Sequence, residues 1–274
     1  MTFFLYSLLI FVAIINGIHA VNYSVTITTA SGARFDRDIG GQYTLQTLDS
    51  ATNFICHNIL SINCSTDRKD VQHVSIFLDD DMDGDDVAIA SNNEIHVNSR
   101  YTEGDVAFMY AYNMICSEKI EYLKTPLNLL SFNQIPLNYW SKIPPVLGFL
   151  YIEGYSGDVK KEITGVLYHE MTHIWQWKGN GQAPQGLIEG IADYVRLKVG
   201  LAPSHWVKPG QGNSWDQGYD VTARFLDYCN VLKYGFVGEL NKKMRDCYSD
   251  TFFVDLLGKS VDQLWNDYKA TFMY

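Results

Sequence analysis

The feature that most restricts this 274-residue chain is the pentapeptide His169-Glu170-Met171-Thr172-His173, followed 16 residues after its last histidine by Glu189-Gly190-Ile191-Ala192-Asp193. Residues four apart share a helix face, so a helix here lets His169 and His173 offer two imidazole nitrogens to one metal ion. The flanks agree, because Val159 to Trp177 has no proline and sets Ile163, Val166, Leu167 and Ile174 along one side. A break follows at Gly179-Asn180-Gly181-Gln182-Ala183-Pro184. A second helix is then expected from Gly186 to Gly200, with Arg196 and Lys198 in its last turns. Glu189 and Asp193 are also four apart on that helix and face one way. The segment therefore reads as helix, short loop, helix.

The chemistry explains the spacing. Catalytic zinc takes three protein ligands and keeps one position open. His169 and His173 supply two, and Glu189 is the expected third, with Asp193 and His205 as rivals. Asp193 is expected to accept the second ring N–H of a histidine ligand. Glu170 is the expected general base: zinc lowers the pKa of a water it binds towards ~7, and the carboxylate takes the proton as that water attacks a carbonyl carbon. The longer three-histidine form of the motif fails, since Gln176 and Gly179 stand where glycine and a third histidine belong. Tyr219 and His205 are the candidates for stabilising an oxyanion.

The sequence GVLYHEMTHIWQWKGNGQAPQGLIEGIADYVRLKVG at 165–200, with APSHWVKPGQGNSWDQGYDVTARFLDYC at 202–229, resembles the plant basic secretory protein family. The resemblance covers most of 23–101 and 153–274. It implies a secreted, zincin-like, defence-associated protein whose gluzincin-type site has His169, His173 and Glu189 as zinc ligands and Glu170 as base. This chain departs from the family name: 21 Lys and Arg against 31 Asp and Glu give a net charge of −10, which weighs against nucleic acid or an anionic membrane as partner. The resemblance breaks at 102–152, which reads as a retained intron or gene-model artefact, the alternative being a true surface insertion or lid. A long stretch without periodicity is unusual inside a compact domain.

Residues 1–20 read as a signal peptide, with an apolar run from Phe3 to Ile15 and cleavage expected after Ala20. That run is short of the ~20 residues a membrane span needs, so no stable membrane association is expected after cleavage. Secretion to the extracellular space, the apoplast for a plant protein, follows from it. Sequons at Asn22 and Asn63 are potential glycan sites. Among five cysteines the expected local disulfides are Cys56 with Cys64 and Cys229 with Cys247, leaving Cys116; buried free thiols are the competing reading. The acid run Asp79 to Asp86 opens like an EF-hand loop but has Ala90 at its twelfth position, and so reads as a solvated turn. Richness in aromatic residues, with 18 Tyr, 14 Phe and 6 Trp, is read first as core packing and second as a carbohydrate-binding platform.

The expected fold class is α+β, a single domain over 21–274 with a small twisted sheet packed on helices and a helical C-terminal part. Strands are expected at Tyr23–Thr29, Val71–Leu78, Val87–Ala90 and Glu94–Asn98; the family resemblance implies that Glu94–Asn98 is an edge strand able to pair with an extended substrate. Helices are expected at Leu45–Leu60, Asp216–Leu232 and Gly238–Cys247, and in a last segment capped by Ser260 and Gln263. The function expected is zinc-dependent hydrolysis of proteins or peptides. The rival is a non-catalytic defence or cell-wall binding protein that keeps the fold. No oligomeric state is readable.

Overall fold

The computed structural model describes residues 21–27, 32–60, 67–79, 87–98 and 158–272. The leader at 1–20, the Asn63 sequon, Cys64, Cys116, the acid run beyond Asp79 and all of 102–152 lie outside the described residues. Within them the fold is α+β, as expected: four strands and eight α-helices. They run β1 (Asn22–Ile27), α1 (Gly32–Asp38), α2 (Gly41–Asn53), β2 (His73–Asp79), β3 (Ala88–Ser91) and β4 (Glu94–Asn98). The helical part follows, with α3 (Val159–Trp175), α4 (Gln185–Lys198), α5 (Tyr219–Leu232), α6 (Phe236–Lys243), α7 (Thr251–Leu257) and α8 (Val261–Thr271).

The sheet order is β1-β2-β4-β3, with β1, β2 and β4 parallel and β3 antiparallel to β4. Alternation sorts its faces: Val74, Ile76 and Leu78 of β2 and Ile95 and Val97 of β4 are all fully buried. The expectation that β4 is an edge strand is corrected, because β4 pairs with β2 on one side and β3 on the other. The reason is local. Asn92 and Asn93 take positive φ of 51° and 63°, the conformation that closes a two-residue hairpin, and this folds β3 back along β4 as the outer strand. The HExxH helix α3 packs beside that outer strand.

The segment expected as one helix over Leu45–Leu60 is α2 continued by a π-helical turn, Phe54–Ile59, in which Leu60 N–H bonds Ile55 O at 2.8 Å. Thr52 Oγ1 accepts from Tyr23 of β1 at 2.8 Å and from Trp175 of α3 at 3.2 Å, tying sheet, α2 and the end of α3 to one hydroxyl. The expected cap of α8 is present, Ser260 and Gln263 forming a reciprocal capping box. Trp215, Phe225, Phe236, Phe253 and Tyr268 form a buried cluster between the C-terminal helices, so much of the aromatic surplus is core packing.

Of the expected disulfides, Cys229–Cys247 is corrected, and Cys56–Cys64 lies partly outside the described residues. Cys56, Cys229 and Cys247 are free thiols, and there is no disulfide among the described residues. Cys229 is fully buried on the core side of α5 whereas Cys247 is exposed beyond α6, so the two do not share a surface. Cys56 also lies in the core, where burial pushes its thiol up to about 12. Both buried cysteines act as small apolar side chains.

Candidate metal centre

Helix α3 begins at Asp158, whose carboxylate accepts from Lys161 N–H at 3.1 Å, with Glu162 in the first turn. Ile163, Leu167, Met171 and Trp175, at intervals of four, are all fully buried. That stripe sets the rotation of the helix and hence the direction of the adjoining residues 169, 170 and 173. Helix α4 starts after Pro184 and is held against α3 by a buried ion pair: Arg196 Nη2 lies 2.6 Å from Glu162 Oε1 and its Nε donates to Leu201 O at 3.1 Å. Gly165 makes room for it, since a Cβ there would sit 2.4 Å from the guanidinium. On the other side of α4, Gly190 packs on Thr222 and Gly186 on the backbone of Asp216, where a Cβ would fall 1.8 Å from the carbonyl oxygen.

These contacts bring three side chains together. His169 Nε2 lies 3.0 Å from His173 Nε2 and 3.1 Å from Glu189 Oε2, and the last two are 3.4 Å apart. Asp193 Oδ1 meets the other nitrogen of His169, Nδ1, at 2.7 Å. Gln185 donates to Glu189 Oε1 at 2.6 Å, and Gln176 lies 2.6 Å from His173 Nδ1. Burial pulls the pKa of His169 down, but the hydrogen bonds to Asp193 and Glu189 and the nearby charges, Glu170 included, outweigh it and raise it to about 10. Burial raises that of Glu189, and its bonds to the two histidines overcome this and hold it below the usual carboxylate range. The two shifts describe one ion pair, not two independent gains.

The donor set fits a metal ion. Two imidazole nitrogens and one carboxylate oxygen converge, and tetrahedral zinc with bonds of ~2.0–2.1 Å separates its ligand atoms by ~3.4 Å, close to the separations here. His169, His173 and Glu189 are the one such group of potential ligands among the described residues. Of the sequence rivals for third ligand, Asp193 faces the nitrogen of His169 turned away from the cluster, and His205 is exposed in the loop before α5 and outside the group. Glu170 is buried at 5% exposure.

Tyr219, the first residue of α5, takes a positive φ of 45° behind Gly218 at 99°, and its half-exposed ring lies parallel to that of His169 with centroids 6.2 Å apart. Such backbone strain in a residue other than glycine persists only where the surroundings impose it. Gly186 packs closely on Asp216 and Gly218, just before Tyr219 in the chain. Sequence reasoning missed Gln176, Gln185 and the pairing of Arg196 with Glu162. The four-residue spacing of Gln185 and Glu189 was a readable signal; the other two are contacts between separate segments.

A family model described as peptidase of plants and bacteria matches residues 17–114 and 146–268, leaving 115–145 unmatched. A relative named basic secretory protease, from Boswellia serrata, is 48% identical over 58 residues, which is 21% of this chain and 66% of that relative's length. No solved structure matches the chain.

Proposed function

The chain belongs to the family of plant and bacterial peptidases, and on that premise we propose that it is a zinc-dependent metallopeptidase of gluzincin type, with a zincin-like fold, acting on protein or peptide substrates outside the cell. The observation that carries this reading is the convergence of His169, His173 and Glu189 on one point, with buried Glu170 next to His169 in α3.

These three residues would hold the ion, and zinc supplies a Lewis acid that polarises a carbonyl and acidifies water. Glu170 takes a proton from the attacking water and passes it to the leaving amine. Asp193 keeps the His169 ring oriented with its Nδ1–H directed at a carboxylate. Tyr219 stands beside the ligand cluster as the candidate for stabilising the oxyanion. The strand β3, outermost in the sheet among the described residues and packed beside α3, takes the substrate-pairing role that sequence reasoning assigned to β4.

Secretion and a role in defence, in the apoplast, complete the proposal; the name of the Boswellia relative and the apolar leader support the first. Among the described residues no helix is long and apolar enough to cross a membrane. Residues 102–152 remain proposed as an insertion or gene-model artefact, which sequencing of the native transcript decides. The test of function is cleavage of a denatured protein. Cutting abolished by a chelator and restored by zinc is the expected result; cutting that persists without metal would overturn the zinc assignment.

A further inference from the structure

We infer that Gln176 is a positioning residue of the metal centre: its carboxamide accepts a hydrogen bond from His173 Nδ1 when a metal ion occupies Nε2, in an orientation reversed from that in this structure. The inference rests on the three-residue site proposed above.

Gln176 sits at the C-terminal cap of α3, three residues past His173, and is fully buried, so its amide has no water to turn to. Its Nε2 lies 2.6 Å from His173 Nδ1 and 3.2 Å from Ile188 O of α4. Its Oε1 is buried with no hydrogen-bond partner. An orphaned buried acceptor is costly, ~1–3 kcal/mol, and native structures keep few of them without a reason.

The histidine provides the reason. An NH2 group donating to Nδ1 requires a neutral His173 ring to carry its proton on Nε2, the nitrogen that faces His169 Nε2 and Glu189 Oε2. A ring that gives its Nε2 lone pair to a metal carries the proton on Nδ1 instead. Two donors would then oppose each other at the 2.6 Å separation seen here. Rotation of the carboxamide about its last bond removes the conflict, because it exchanges oxygen and nitrogen at almost constant volume and needs no repacking. Ile188 O loses this donor but keeps the backbone partner that α-helical geometry gives it inside α4. The remaining cost, two oxygens facing each other and an amide nitrogen set where Oε1 now has no partner, is offset by the new bond to His173 and by the metal.

The two histidines are therefore held differently. His169 already has a charged acceptor, Asp193, on its outer nitrogen. For His173 the acceptor is a neutral amide that changes orientation with metal occupancy.

Long-range proton–nitrogen NMR of the full chain, without metal and with zinc at one mildly alkaline pH, reads the position of the His173 proton directly. The expected result is Nε2–H without metal and Nδ1–H with zinc. Chelator competition gives the energetic half: Gln176→Met lowers zinc affinity by ~10–100-fold, the usual range for an outer partner of a ligand, while Gln176→Glu, with an acceptor in the same place, stays close to wild type. The proton on Nδ1 in both states, or a folded Gln176→Met with wild-type affinity, would overturn the inference. Should Gln176→Met not fold, the spectra of the wild-type chain decide alone. Failure of the underlying site looks different, for then the wild-type chain takes up no zinc or His173→Ala takes up as much.

Discussion

At the scale of single residues, the cluster is a set of groups that stabilise one another only while a proton or a metal ion is shared among them. His169 has an ordinary pKa of 6.5 that the fold raises to about 10. A raised pKa in the folded state contributes stability that is fully present below the unfolded value and disappears as pH rises through the folded one. Urea unfolding of the metal-free chain should therefore show a midpoint that falls between about pH 6.5 and 10, and His169→Ala should flatten that fall. A wild-type midpoint constant over the interval would mean that His169 is not the charged partner of Glu189 and Asp193. The residues that set the site were legible to different degrees. His169, His173, Glu189 and Asp193 stand at spacings that follow from helical periodicity, whereas Gln176 could be read as any polar residue at a helix end until its neighbours across the loop were known.

At the scale of elements, α3 and α4 were readable because 17 and 14 residues give the helical period room to appear, and because a glycine-rich break separates them. The helices α1 and α7 escaped notice; each has seven residues, too few for a periodic pattern. The edge of the sheet was misassigned because strand order is a property of pairing partners, and alternation within Glu94–Asn98 carries no record of which neighbour lies outside. The contact that keeps α3 and α4 in register, Arg196 with Glu162, is 34 residues apart in sequence and invisible to local patterns. Removing one partner leaves a buried charge unpaired, which costs ~3–5 kcal/mol. Glu162→Gln should accordingly lower the urea midpoint strongly and weaken zinc binding, because the proposed ligands come from both helices. A variant with unchanged stability and affinity would show that the pair is bystander packing.

At the scale of the whole molecule, α3 packs beside the outer strand of the sheet, and the loop that leads into α5 brings Tyr219 beside His169. The buried cysteines illustrate a general limit of sequence reading: a thiol in a core and a thiol awaiting a partner are spelled the same way, and only the position of Cys229 on the inner face of α5 separates them. A ligand that binds the native state alone stabilises by an amount set by its concentration relative to Kd, ~2.7 kcal/mol at a hundredfold excess over Kd. Zinc should raise the melting temperature of the wild-type chain and leave that of His169→Ala/His173→Ala almost unmoved. An equal rise in both would place the ion elsewhere.

The most direct measurement compares the wild-type chain with Glu170→Gln for zinc content and for cleavage of a denatured protein in the same preparation. Both proteins should bind one zinc ion per chain, and the variant should lose ~100-fold or more in cleavage rate, as removal of a general base does. A zinc-loaded Glu170→Gln that cuts as fast as the wild type would contradict the assignment of Glu170 as the base.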